Sequence, residues 1–206
     1  MNDALRDLAQ RAHAELASGA LRGPAMAALL AAVPFLEHEE STDDAPDLPR
    51  GAVPYLPCAV EDILDLVRSA PVHAEDELVD IGSGLGRVAI LVHLLTGART
   101  RGIEIQEQLV RSARARCEEL ALDRVSFVHA NAADVVLEGS IFFLYAPCNG
   151  AMLTSVLGRL EEAARRRPVV VAAVGLEFRD VPWLRPRPST SVSLALYDSA
   201  AYGPSR

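Results

Sequence analysis

The segment Leu78-Val79-Asp80-Ile81-Gly82-Ser83-Gly84-Leu85-Gly86-Arg87 decides how the chain is read. An apolar run of strand type ends in three glycines at alternate positions, and a helical pattern follows. Glycine is needed where the backbone turns with positive φ or lies directly against a ligand. A helix N-terminus offers free N–H groups and a positive dipole end to an anionic ligand group. Strand, glycine turn and helix in this order predict a nucleotide-type cofactor at the carboxyl end of a strand in an open α/β sheet. The competing reading is a tight strand-to-helix turn without a ligand.

Strand-like and helical runs alternate on both sides of this loop. Strands are expected at 77–81, 100–105, 125–130, 141–146 and 169–175. Helices are expected at 59–70, 86–96, 107–121 and 150–166. This rhythm predicts an α/β fold with a doubly wound, mostly parallel sheet. The strands are continuous apolar runs, such as Ile141-Phe142-Phe143-Leu144-Tyr145, as strands covered on both faces should be. Residues 192–197 alternate and suit an antiparallel edge strand. Pro182, Pro186 and Pro188 burden the stretch before them, so a missing strand or an irregular C-terminal edge is expected.

Upstream, Leu5, Leu8, Ala9, Ala12 and Leu16 fall at helical spacing. Gly23-Pro24 opens a second helix that should weaken at Pro34. Residues 1–36 are therefore a helical extension. Residues 37–57 read as a solvated linker: six acids and no base between 37 and 47, then Pro49, Gly51, Pro54 and Pro57. Residues 58–206 form the cofactor-binding domain. The 206 residues suit one domain with such an appendage.

The chain carries 28 acidic against 20 basic side chains, a net charge of −8. This disfavours nucleic acid as a partner, because nonspecific affinity comes from cations neutralising phosphates. Residues 1–50 hold nine of the acids and only four arginines, so much of the charge belongs to the linker. The case against nucleic acid is weaker than the total suggests. Arg165-Arg166-Arg167 is either a local basic patch or a solvated helix end. Every basic residue is arginine, which removes lysine-based mechanisms. Cys58, Cys117 and Cys148 are odd in number and form no CxxC, so no disulfide framework and no metal site are indicated. A reducing compartment follows. Asp3 and Asp7 stand where a signal peptide would be positive, and no apolar run could span a membrane. The expected location is cytoplasmic.

The spacing of the glycine loop narrows the cofactor. A dinucleotide fingerprint needs G-x-G-x-x-G, and counting from Gly82 its third glycine would fall on Arg87. Here the spacing is G-x-G-x-G, with Asp80 two residues ahead. Beside a pyrophosphate that acid would be repulsive, by about 1 kcal/mol per charge pair at 4 Å in water. It suits a cofactor that carries a cationic amine.

These residues resemble the class I S-adenosylmethionine-dependent methyltransferases, whose first motif is acid-x-G-x-G-x-G. The resemblance implies that Asp80, Gly82, Ser83, Gly84 and Gly86 wrap the methionine part of S-adenosylmethionine. It implies that Glu104 binds the ribose hydroxyls, that Ile105 packs on the adenine, and that Asn131 and Ala132 contact the adenine edge. Asn131 stands where the family has aspartate. The landmarks cover residues 58–175. Each has a plainer alternative: Glu104 as a surface acid, Asn131 as a turn residue or helix cap. Arg87 is expected on the helix surface, and His93 in the core or in solvent.

Methyl transfer needs a nucleophile held in line and water excluded. A base is needed only if the nucleophile is protonated. The acceptor pocket of this fold borders the end of the fourth strand, here Tyr145-Ala146-Pro147-Cys148-Asn149-Gly150. This lacks the Asn/Asp-Pro-Pro-aromatic sequence of amide-nitrogen methyltransferases. It superficially resembles the Ala-Pro-Cys stretch of RNA cytosine-5 methyltransferases, but no second cysteine follows the fifth strand. The cofactor loop, with Tyr55-x-Pro57 ahead of it, is also similar to that of the non-SET histone-lysine methyltransferases. The expected activity is therefore methyl transfer to a small-molecule or protein acceptor, with Tyr145 and Tyr55 the catalytic candidates. The alternatives are a non-catalytic cofactor-binding module and an RNA cytosine-5 methyltransferase-like enzyme.

Overall fold

The structure, a computed structural model, describes residues 1–38, 42–70, 72–189 and 191–200. Its sheet is built from β1 (Glu77–Ile81), β2 (Arg99–Glu104), β3 (Val125–His129), β4 (Ile141–Tyr145), β5 (Val170–Val174), β6 (Leu184–Arg187) and β7 (Leu194–Ser199). The strand order is β3-β2-β1-β4-β5-β7-β6. The first five are parallel, and β7 runs antiparallel between β5 and β6. Order reverses between β1 and β4, which opens a crevice at their carboxyl ends.

Helices cover both faces, as the continuous apolar strands require. On one side lie α1 (Asp3–Ala17), α2 (Pro24–Ala32), α3 (Val60–Ser69), α4 (Arg87–Thr96) and α5 (Glu107–Glu119). Their buried side chains share one core with Leu78, Ile141 and Phe143. On the other side α6 (Gly150–Arg166) packs Val156 and Leu160 against Val79, Phe142 and Leu144. Adjacent residues of β4 thus feed opposite cores, as a pleated strand dictates.

The N-terminal helices are part of the first core. Leu5, Ala9, Ala12 and Leu16 of α1, and Met26, Leu29 and Leu30 of α2, are buried. α1 packs on α4, whose residues Arg87 to Leu95 are buried all round. A short 3-10 turn, Pro34–Leu36, follows α2, where proline ends the helix.

Two expectations change. The segment read as a solvated linker is tied down over its described part, with bonds from Val53 N to Pro147 O (3.0 Å) and from Asn149 N to Gly51 O (2.8 Å). Residues 39–41 of that linker, and 201–206 of the final domain, lie outside the described residues. At the C-terminal edge both strands are present, and the shortened part is the connection 175–183, which carries no helix. The edge position goes to β6, not to the run at 192–197, and Pro186 is tolerated there because an edge strand has one unpaired side.

Candidate functional site

The glycine loop leaves β1 in the crevice between β2 and β4. Gly82 has φ +76°, and a Cβ there would strike the Pro147 ring. Gly84 has φ +52°, and a Cβ there would strike the Tyr55 ring. Both positions therefore exclude a side chain twice over, by backbone conformation and by space. Gly82 N and Ser83 N both donate to Ile103 O, at 2.8 and 3.2 Å, which locks the loop to the end of β2.

Glu104, the last residue of β2, is 5% exposed. Its Oε2 accepts from Gly84 N at 2.9 Å and its Oε1 from Gln106 N at 2.8 Å. Burial pushes its pKa above the ordinary value, against the pull of these backbone N–H groups. Gln106 extends the network. Its Nε2 donates to Asp44 Oδ1 at 2.7 Å, and its Oε1 accepts from Ala45 N at 2.6 Å. Asp44 Oδ1 also accepts from Tyr55 N at 2.8 Å. Tyr55 then lies on Gly84, so a ring of contacts runs Gly84, Glu104, Gln106, Asp44, Tyr55 and back. Residues 44–57 are thereby held as a strap along the glycine loop.

Strap, loop and strand ends enclose a cavity of about 250 Å³. Of the residues expected at the site, Asp80, Gly82, Ser83, Glu104, Ile105, Asn131, Ala132, Tyr55 and Tyr145 line it. Gly84 and Gly86 do not. Gly84 lies under the Tyr55 ring, and Gly86 is the N-cap of α4, against Phe127. Asp80 is 2% exposed. The Ser83 hydroxyl is buried and makes no hydrogen bond among the described residues. Asn131 spends its side chain locally: Nδ2 donates to Asp134 Oδ2 at 2.9 Å, and Oδ1 accepts from Ala133 N at 3.0 Å. That is the geometry of a turn residue, and it leaves the amide little capacity for a ligand.

The end of the cavity beside β4 is formed by Tyr145, Ala146, Pro147 and Cys148 with Met152, Val156 and Val174. Burial, with Cys58 and Asp62 nearby, raises the Tyr145 pKa above that of a free phenol. Burial pushes the Cys148 thiol up to about 11, so at neutral pH it behaves as a small apolar group. The sequence reading missed Arg87, which is buried at 7% exposure, donates from Nη1 to Cys58 O at 2.8 Å, and lines the cavity. It also missed Gln106, although one signal was present. Gln106 is the N-cap of α5, a position that favours Ser, Thr, Asp or Asn, and its side chain makes no cap bond. His93 is a core residue, with Nδ1 2.7 Å from Ala98 O.

Residues 42–138 match the family model of protein-L-isoaspartate(D-aspartate) O-methyltransferase. That stretch runs from the strap to just beyond β3. Among solved structures, an RNA methyltransferase from Salinibacter ruber in complex with S-adenosylhomocysteine is 25% identical, with TM-score 0.51, over 70% of this chain and 92% of that one. The mitomycin 7-O-methyltransferase MmcR is 13% identical with TM-score 0.53, over 66% of this chain. This chain spans about half of it, 52%. The putative methyltransferase YhhF from Escherichia coli is 19% identical with TM-score 0.50, over 65% and 80% of the two chains. The last two are likenesses of fold. No helix among the described residues is long and apolar enough to cross a membrane. Strand order, the glycine loop with its acid, and these matches show that the chain has the class I, Rossmann-like fold of S-adenosylmethionine-dependent methyltransferases.

Proposed function

We propose that the chain is an S-adenosylmethionine-dependent methyltransferase acting by in-line transfer on a small-molecule or protein acceptor. The observation that carries this reading is the convergence of Asp80, the glycine loop and Glu104 on one cavity at the β1/β4 reversal. The lining fits the cofactor. Two buried carboxylates suit a ligand with net positive charge, and Ile81, Ile103, Ile105 and Ala132 offer an apolar wall to a purine. When bound, S-adenosylmethionine supplies a methyl group already activated on a sulfonium.

The chain's own residues then bind and orient. Asp80 holds the ammonium, and Glu104 accepts from the ribose hydroxyls with the lone pairs that the loop amides leave available. Ser83, held in the loop, offers a hydroxyl to the methionine arm. Ile105 and Ala132 flank the adenine, with Asn131 contributing chiefly backbone. The strap excludes water beside the transferred methyl, where Tyr55 and Tyr145 face the acceptor. With its raised pKa, Tyr145 is a hydrogen-bond donor at neutral pH and not a base, so the acceptor nucleophile arrives with a lone pair free.

The likeness to an RNA methyltransferase supports a second reading, an RNA acceptor. A cytosine-5 mechanism finds no thiolate here: Cys148 is held protonated, and residues 175–178 after β5 contain no cysteine. Three buried cysteines without a disulfide support a reducing, cytoplasmic setting. Calorimetric titration with S-adenosylmethionine or S-adenosylhomocysteine should show saturable binding that Asp80→Ala weakens. At 100 times its Kd the ligand should stabilise the fold by about 2.7 kcal/mol. A melt that shifts with a nicotinamide dinucleotide and not with S-adenosylmethionine sinks the reading. Cofactor turnover with candidate acceptors separates an enzyme from a non-catalytic binding module.

A further inference from the structure

The cavity has two chemically distinct ends. Its ionic lining side chains, Asp80, Glu104 and Arg87, stand on β1, at the end of β2 and in the first turn of α4. Among the described residues none comes from the strap, the β4–α6 loop, α6 or β5. Beside β4 the wall is Pro147, Met152, Val156 and Val174, with the Cys148 thiol held protonated. The polar side chain that β4 brings there is Tyr145, whose hydroxyl has no hydrogen-bond partner among the described residues. Burying a charge against such a wall costs far more than burying an uncharged group, because no counterion replaces the lost water.

The same end is roofed. The strap runs antiparallel to the β4–α6 loop, bridged at Ala52 and Cys148, with Val53 N donating to Pro147 O and Asn149 N to Gly51 O. Gly51, at φ +97°, lets the two segments touch: a Cβ there would lie 3.0 Å from Asn149 O and 3.1 Å from the Met152 Cβ. Leu56 borders the cavity from the strap and is 62% exposed, unlike the other lining leucine and isoleucine side chains. A leucine left in water at a pocket rim gains by being covered when an apolar ligand enters. We propose that the acceptor is a small, uncharged, largely apolar molecule that lies against Pro147, Met152, Val156 and Val174, with one polar atom accepting from the Tyr145 hydroxyl. A roof pinned through its backbone favours a molecule that fits beneath it over a polymer that must lift it. This deepens the methyltransferase reading above and rests on it: with the cofactor at the carboxylate end, the β4 end is left to the acceptor.

The test uses naphthalene ligands of one shape and different charge: 2-naphthol, uncharged at neutral pH, 2-naphthoate and 2-naphthylmethylammonium. Their Kd values are measured by equilibrium dialysis at neutral pH against the full chain saturated with S-adenosylhomocysteine. 2-Naphthol should bind at least about tenfold more tightly than either ion. Tyr145→Phe should weaken 2-naphthol by about 3- to 10-fold, the range for one hydrogen bond, and leave naphthalene itself unchanged. Leu56→Glu, at an exposed position that the fold tolerates, should narrow the gap between 2-naphthol and the ammonium ion, which places the ligand at this rim. Equal affinity for either ion, or no binding of 2-naphthol up to its solubility, overturns the proposal. So does transfer of labelled methyl from S-adenosylmethionine to an RNA or to a peptide carboxylate. If S-adenosylhomocysteine itself fails to bind, the cofactor reading falls and this proposal with it, which is a different result.

Discussion

Glu104 carries two loads at once. Its carboxylate braces the glycine loop through Gly84 and the start of α5 through Gln106, while it faces the cavity. Glu104→Gln removes charge from both bonds and should weaken cofactor binding about tenfold or more. The pH dependence has a definite sign. Burial raises the pKa of Glu104, and hydroxyl hydrogen bonds need its ionised form. Cofactor affinity should therefore fall on acidification while the pH is still above the ordinary glutamate value of 4.5, and Glu104→Gln should flatten that fall. Titration of S-adenosylhomocysteine binding from about pH 8 to pH 5 checks this; a wild-type affinity constant over that range contradicts it. Gly84→Val places a branched side chain on the Tyr55 ring at φ +52°. It should cost about 1–3 kcal/mol of stability and displace the strap, read as a lowered denaturation midpoint together with weaker cofactor binding.

At the level of elements, the strap is the part whose character changed most between sequence and structure. Its acids and prolines look like a solvated connector, and no local periodicity opposes that reading. What holds it is distant in sequence: the Gln106 side chain reaches Asp44 and Ala45, and Pro147 reaches Val53. Gln106→Ala should free the strap while sparing the sheet. Hydrogen exchange at the Tyr55 amide should accelerate by tenfold or more, with amides of β1 and β4 unchanged. Uniform acceleration would mean that Gln106 supports the whole fold instead. The elements near the loop were legible because each depends on local pattern. β1, α4, β2 and α6 fall within a residue or two of their expected bounds. The edge pairing was not legible, since which strand lies beside β5 is decided by the sheet. The β6–β7 hairpin folds back so that β7 takes the inner place.

For the whole molecule, the N-terminal helices and the sheet share one apolar core, so they should unfold together. Leu29, fully buried in α2, provides the test. Leu29→Ala should destabilise the protein by about 2–5 kcal/mol. Trp183, the sole tryptophan, sits in the opposite core. Its fluorescence and the far-UV helical signal should still report one coincident transition in denaturant. Two separated transitions would make residues 1–36 an independent unit. The sequence held a hint of this cover. The run Val88-Ala89-Ile90-Leu91-Val92 in α4 has no polar face, so a sheet on one side alone could not bury it. By itself the sequence determined the alternating strands and helices, the turn that only glycine can make, and the acids beside it, because these follow from backbone sterics and short-range periodicity. Only the tertiary structure decided that the acidic strap walls the cavity, that Asn131 spends its amide on its own turn, and that Arg87 points inward. Those depend on which distant groups come within hydrogen-bonding reach once the sheet has packed, and no local pattern encodes that.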